Sequence, residues 1–359
     1  MRKKHKLNLA KQLDPEKRSA PLKCYIAKKT RLIELDPLNA KAYFERANAK
    51  NIIGDWKGAV TDYTKCLEID PNNAYVWNKI GIMKFRIFDF RGALSDFNKA
   101  IELDQSNFSY HFRRGSTNKL TGEYPDAISD FTKSLELHPQ FPKGYYWRGE
   151  TKTAVGDLQG AIEDFSKAIE LQPNYLWAYI YRASVKSDSN DYLGAIVDFD
   201  HACKLDRKNY DIFLHRAIAK YCIGDYQGSI EDNKKAIEIL PNHYNGWYNM
   251  GLAKMDSGDT YGAIVDYQKA IVLCPDYEDA YLNIGTCKYR VGDRKGALAD
   301  FTRAIEINPK YSNPYISRGV LKLELGDYYS GCKDLRIAVK LGDRIAIEIL
   351  KNLENEALF

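Results

Sequence analysis

The sequence has no apolar run of about 18 residues, the length that a membrane-crossing helix needs, so no transmembrane segment is expected. Residues 1–13 are charged and have no uninterrupted apolar core, so no secretory signal is expected either. Cysteine is scarce: seven in 359 residues, odd in number and irregularly spaced, which excludes a disulfide scaffold and points to a reducing, cytoplasmic setting. No Cys-x-x-Cys pair occurs, the six histidines form no metal-binding helix motif, and no phosphate-cradling glycine-rich loop precedes a Lys-Ser/Thr pair. The reading is therefore no enzyme, with no catalytic residue, metal site or cofactor. Net charge is small, +5, and unevenly placed. Residues 1–31 carry eleven Lys/Arg against Asp14 and Glu16, whereas the remainder holds 42 basic and 46 acidic residues. A chain-wide nucleic-acid surface is thus not indicated. The basic N-terminus is read as a solvated tail rather than as a nucleic-acid or membrane contact.

What the sequence does have is a period. Pro37, Pro71, Pro139, Pro173, Pro241, Pro275 and Pro309 fall on one 34-residue grid, with Gln105 and Arg207 at its vacant interior sites. The grid cuts nine contiguous repeats from Ala40 to Ile345, leaving residues 1–39 as a basic tail plus partial capping repeat and 346–359 as a capping helix. Apolar and small residues at repeat positions 4, 8, 20, 24 and 27 follow helical spacing in two blocks, so each repeat reads as two short helices, A and B. Gly-Asp pairs such as Gly54-Asp55 and Gly258-Asp259 separate them: glycine takes the left-handed conformation that ends helix A, and the acid caps helix B. Gly122-Glu123 and Asn190-Asp191 are read as equivalents. Phe88-Asp89 is not, because a bulky residue disfavours positive φ, and a different turn is expected in repeat two. Gly58 and its counterparts, just before position 20, are attributed to close helix approach, which would offset the cost of about 1 kcal/mol for a glycine inside a helix.

Trp247-x-x-Met250-Gly251, then Ala263-x-x-x-Tyr267, then Pro275 resembles the tetratricopeptide-repeat family, as does Trp77-x-x-Ile80-Gly81 followed by Ala93-x-x-x-Phe97. Gly331 through Asp343 resembles the terminal repeats of bacterial members. The resemblance covers about nine-tenths of the chain. It implies an all-α, right-handed solenoid of stacked helix pairs that binds a protein partner on an inner curve lined by helix A. Chaperone-binding members hold a terminal carboxylate with five Lys, Asn and Arg residues over three repeats. Here Asn48 and Arg113 match, but Phe44, Lys79 and Ser109 do not, so that clamp is not expected.

Charges recur inside the pattern. Position 23 is Asp in all nine repeats, position 11 is Lys in eight, with Asn118 breaking the series, and position 7 is Arg in six. These positions border the apolar sectors of their helices, where an isolated charge costs several kcal/mol, so each Asp is expected to pair with a position-7 Arg or position-11 Lys as an architectural ladder.

The inner-face positions 2, 5, 9, 12 and 13 divide the chain. Positions 9 and 12 of repeats one to five hold mostly polar residues such as Asn48, Ser116, Lys119 and Thr153, with Ile82 and Phe85 as exceptions. The candidate groove of repeats six to nine is apolar: Leu214, Ile218, Tyr221, Tyr248, Leu252, Met255, Leu282, Tyr289, Ile316 and Leu323. Two occupants are open, a peptide or helix of a partner, or the C-terminal helix folded back. The function expected is a non-enzymatic interaction scaffold. The alternative is a self-associating assembly component, and a nucleic-acid adaptor ranks last.

Overall fold

The computed structural model describes residues 15–356, with side chains for residues 20–353. The tail Met1–Asp14 and the last residues of the capping segment lie outside the described residues. All regular structure among the described residues is α-helical, in twenty helices. They are α1 (Pro15–Leu35), α2 (Ala40–Ile53), α3 (Trp56–Ile69), α4 (Ala74–Arg86), α5 (Phe90–Leu103), α6 (Phe108–Thr121), α7 (Tyr124–Leu137), α8 (Pro142–Ala154), α9 (Leu158–Leu171) and α10 (Leu176–Asp188). There follow α11 (Tyr192–Leu205), α12 (Tyr210–Cys222), α13 (Tyr226–Ile239), α14 (Tyr244–Asp256), α15 (Thr260–Leu273), α16 (Glu278–Arg290), α17 (Arg294–Ile307), α18 (Ser312–Glu324), α19 (Tyr328–Lys340) and α20 (Arg344–Glu356). Each repeat thus contributes an even-numbered A helix and an odd-numbered B helix.

The chain forms two compact units, one ending at Ala178 and the other beginning at Tyr179. In the first, α1 packs on α2, and the B helices α3, α5 and α7 each pack on the A helix of the next repeat. In the second, the same alternation runs from α11 to α19, and α20 packs on α19. A helix pair cannot bury its own apolar face, so this neighbour-to-neighbour packing is what makes each repeat stable. Position 24 supplies the core: Tyr63, Phe97, Phe131, Phe165, Phe199, Tyr267 and Phe301 are all fully buried, and a small residue at position 20 lets the helices close on them. Gly81, Gly115, Gly149, Gly251 and Gly285 at position 8 lie against these same rings, where a Cβ would come within 2.5 to 3.1 Å of a ring atom.

Two local expectations are corrected. Phe88 adopts φ 64 and makes the turn that glycine makes elsewhere, with the Asp89 amide donating to Lys84 O at 2.9 Å as the Asp55 amide does to Lys50 O. The turn is held from both sides, because Asp89 also caps helix B by accepting from the Gly92 amide at 2.9 Å. Phe88 is 79% exposed and its ring stands edge-on to that of Phe90, so it suffers no burial clash and the strain stays in the backbone. The glycines before position 20 answer a neighbour nearer than another helix. A Cβ on Gly58 would stand 2.2 Å from Oδ2 of Asp55, the capping carboxylate of the same helix, and the counterparts in repeats two, four, five, six, seven and eight match. Repeat three makes the point in reverse. Glu123 is one methylene too long and makes no side-chain cap, and there the position carries Asp126.

Candidate functional site

The nine position-23 carboxylates come first, since they decide which charges are available for function. Each has a basic nitrogen within 2.5 to 2.8 Å. Eight are buried and Asp300 is half-buried. In repeats one, four, five, six and nine the carboxylate is shared, with the guanidinium on one side and the lysine ammonium 2.8 to 2.9 Å away on the other. In repeat three Asn118 replaces the lysine and donates to Asp130 at 3.1 Å. The expected ladder is present, and it lies between the helices of each repeat.

It also has an arm that sequence reasoning missed. The remaining guanidinium nitrogen donates to position 25 of the preceding B helix: Arg46 to Thr30 at 3.0 Å, Arg114 to Asn98 at 2.7 Å, Arg148 to Thr132 at 3.0 Å, Arg216 to Asp200 at 2.6 Å and Arg318 to Thr302 at 3.0 Å. One planar fork therefore ties three helices, which a lysine cannot do. The signal lay in a spacing of 16 residues between a polar acceptor and the arginine, hidden because the acceptor is Thr, Asn or Asp by turns.

Repeats two, seven and eight have Ile80, Met250 and Ile284 at position 7, so Asp96, Asp266 and Asp300 rest on Lys84, Lys254 and Lys288 alone. Burial pushes these three carboxyl pKa values up, and the single lysine opposes it only in part. At Asp334 burial acts the same way, but Arg318 and Lys322 together outweigh it and hold the pKa below the usual carboxylate value.

The face formed by the A helices of repeats six to nine departs from expectation in its openness. Ile218 is 40% exposed and Tyr289 36%. Leu214 was expected on this face but is 7% exposed, so it serves packing. Tyr221, Tyr248, Leu252, Met255, Leu282, Ile316 and Leu323 are half-buried. Tyr248, Leu252 and Met255 pack on the cluster of Ala263, Tyr267, Ile284 and Cys287, so their side chains carry stability as well as surface. The Tyr248 ring stands 4.7 Å from that of Tyr277, and its hydroxyl accepts from Asn283 Nδ2 at 3.1 Å.

Successive A helices are also stitched across this face. The Tyr221 hydroxyl donates to Asp256, and the Tyr289 hydroxyl donates to Glu324 at 2.6 Å. Both phenol pKa values rise, at Tyr221 chiefly from burial and at Tyr289 chiefly from the carboxylate it serves. With the hydroxyls occupied, the rings contribute apolar surface. The spacing of 35 residues from Tyr to acid was available in the sequence. Between α16 and α18 the face opens into a cavity of about 250 Å³ lined by Thr286, Tyr289, Phe301, Ile316, Val320 and Leu321. The helix α20 does not fill the face at Tyr289. Its Ala346, Ile349, Leu350 and Leu353 join the cluster of Tyr315, Leu335 and Ala338 at the end of repeat nine, to which the face residues Ile316 and Leu323 also belong.

Among the described residues no three His, Cys, Asp or Glu side chains gather as a metal-binding group, none of the seven cysteines forms a disulfide, and no helix is long and apolar enough to cross a membrane. His111 is a buried side chain of repeat three, 3.4 Å from Gln105 O.

These features define a helix-pair repeat protein whose repeated charges are internal. The tetratricopeptide-repeat model matches residues 40–73, 142–175 and 278–311, which coincide with repeats one, four and eight of the proline grid, and a second TPR-repeat model matches 252–292. The chain carries tetratricopeptide repeats at these residues. The C-terminal part of a TPR repeat-containing protein from Cytophaga hutchinsonii is 18% identical, with a TM-score of 0.58 over 66% of this chain and 97% of that one. A tetratricopeptide-repeat protein from Parabacteroides merdae is 18% identical, with a TM-score of 0.50 over 69% and 98%. YrrB, described as a TPR protein with an unusual peptide-binding site, is 22% identical, with a TM-score of 0.46 over 51% and 95%. No curated protein matches the sequence. The fold suggests a protein–protein interaction scaffold.

Proposed function

We propose that the protein is a non-enzymatic scaffold that takes a peptide or helix of a partner on the A-helix face of repeats six to nine, with residues 1–39 and 346–359 closing the array of residues 40–345. The observation that carries this reading is the apolar cavity beside Tyr289, Ile316 and Val320, which continues a face where Ile218 and Tyr289 remain exposed. A helix laid on such a face buries anchors spaced i, i+3 or i+4, and cavities of this kind accept them. The nine position-23 carboxylates are engaged with Arg and Lys, so the ladder does not compete for the partner. Affinity purification from the source cells with wild type beside a Tyr289→Ala/Val320→Ala variant tests the reading. The expected outcome is a partner retained by wild type and lost by the variant, with both melting at the same temperature. Equal retention by the two rejects the site.

Self-association is the second reading, favoured by the exposed apolar residues Tyr25, Leu32 and Leu35 on α1, the first described helix. Light scattering over a concentration series distinguishes it: a mass that stays at one chain and does not rise with concentration excludes it.

A further inference from the structure

The A helices carry opposite charge in two stretches of the array. At positions 2, 6, 9, 12 and 13, repeats two to four hold Lys79, Arg86, Arg113, Lys119 and Lys143 against Glu150 alone, whereas repeats six to nine hold Asp211, Asp256, Asp279 and Glu324 against Arg290. The one acid of the basic stretch is already used, because Lys119 pairs with Glu150 at 2.6 Å. The other four cations have no carboxylate partner among the described residues. Lys79 stands 4.9 Å over the Tyr75 ring, Lys143 stands 5.7 Å over Phe112, and Arg86 donates to Asn51 Oδ1 at 3.4 Å and lies 5.7 Å over Trp56. Arg86, Arg113 and Lys143 are exposed and Lys79 is half-buried.

Arg113 departs furthest from the ladder arginines, each of which grips an aspartate. Its guanidinium has neither an ion pair nor a hydrogen bond among the described residues. Surrounding protein strips part of its water and Arg86 repels it, and both push its pKa down. An arginine in this condition destabilises the free chain, and an anion brought by a ligand would remove that cost. The same face holds Ile82 and Phe85, the two apolar exceptions in the otherwise polar repeats, both half-buried and set three or four residues from Lys79 and Arg86 along α4. Cationic and apolar side chains therefore alternate on α4, which matches a segment whose carboxylates alternate with apolar residues. A nucleic-acid strand fits less well, because its bases need open ring faces. Here Lys119 stands 4.5 Å and Lys143 5.9 Å over the Trp147 ring.

We propose that the A-helix face of repeats two to four binds an acidic segment of a partner protein, whose side-chain carboxylates pair with Lys79, Arg86, Arg113 and Lys143 while its apolar residues lie on Ile82 and Phe85. The surface reads carboxylates along a segment, so a free C-terminus is not needed. It lies within the first compact unit and does not depend on the apolar face of repeats six to nine.

The test is fluorescence anisotropy on the full chain with a fluorescein-labelled, C-amidated peptide of sequence Glu-Leu-Asp-Glu-Leu-Asp-Glu. The matching Gln/Asn peptide, the free-acid peptide and a labelled oligouridylate serve as comparisons. The expected result is saturable binding of the amidated acidic peptide that weakens as ionic strength rises, with at least ~10-fold weaker binding of the Gln/Asn peptide. Oligouridylate is expected to bind less tightly than the acidic peptide. The exposed substitution Lys143→Gln should weaken acidic-peptide binding about 3-fold, and Arg86→Gln/Arg113→Gln at least ~10-fold. Arg113→Gln should melt at or above the wild-type temperature, because the free chain loses an unpaired and repelled charge. Equal affinity for the acidic and Gln/Asn peptides, unchanged affinity in the double variant, tighter binding of oligouridylate, or binding only of the free acid each overturns the proposal. So does a lower melting temperature of Arg113→Gln together with unchanged binding in Lys143→Gln.

Discussion

Repeats four and seven are built on the same 34-residue plan and solve the same electrostatic problem differently. In repeat four Asp164 lies between Arg148 and Lys152, and Arg148 reaches back to Thr132 on the preceding B helix. In repeat seven Met250 occupies the arginine's place, Asp266 has Lys254 alone, and burial pushes its carboxyl pKa up. The difference teaches that the carboxylate at position 23 is satisfied by either cation, whereas the link between successive B helices depends on the arginine. Charge pairing within a repeat and coupling between repeats are separate functions of one ladder.

The largest effect expected from this contrast is on stability. Asp164→Ala strands two buried cations and should cost about 3–5 kcal/mol, whereas Asp266→Ala strands one lysine that can extend to solvent and should cost less than about 2 kcal/mol. Urea unfolding followed by circular dichroism compares them, and equal losses would remove the distinction. A smaller effect lies in repeat two. Phe88→Gly relieves a positive φ that costs a bulky residue about 1–2 kcal/mol, and it should raise the unfolding midpoint of the chain by a corresponding ~1 kcal/mol. A lowered midpoint would mean that the ring's edge contact with Phe90 outweighs the backbone strain.

The smallest effect expected is in pH dependence, where the two kinds of repeat differ in sign. The Asp334 pKa is lowered by folding, so its contribution is present above the unfolded value of about 3.9 and is lost as pH falls through the folded one. The Asp266 pKa is raised by folding, so its charged form opposes folding at neutral pH, and that opposition fades as pH falls through the folded value. Asp334→Asn should therefore flatten the acid-side loss of stability, and Asp266→Asn should steepen it. Melting temperatures across the acid range read both, and slopes of the same sign would contradict the assignment.

Much of this was legible in sequence because a repeat protein states its constraints nine times. The proline grid fixed the helix ends, the Gly-Asp turns recurred at φ values of 81 to 95° at Gly54, Gly224 and Gly258, and the invariant position-23 aspartates announced buried partners. What stayed hidden was chemistry that does not repeat letter for letter. The acceptor of the arginine's second arm changes between Thr30, Asn98 and Asp200, and the tyrosine tethers to Asp256 and Glu324 join different repeats at a spacing of 35. The candidate face was read from periodicity alone, and periodicity does not distinguish an exposed Tyr289 from a buried Leu214. Phe88 was misjudged because local preference was weighed without the cap and the turn hydrogen bond that hold it.

The central claim is that the charged ladder is architecture, which leaves the apolar face of repeats six to nine as the proposed surface for partners. A double-mutant cycle on Arg148→Met and Asp164→Asn, measured by urea unfolding of the full chain, tests it most directly. The account predicts that each substitution destabilises the chain and that the pair is coupled by at least about 2 kcal/mol. Single variants as stable as wild type, with coupling within about 0.5 kcal/mol of zero, would mean that these groups are held in place for something other than the fold.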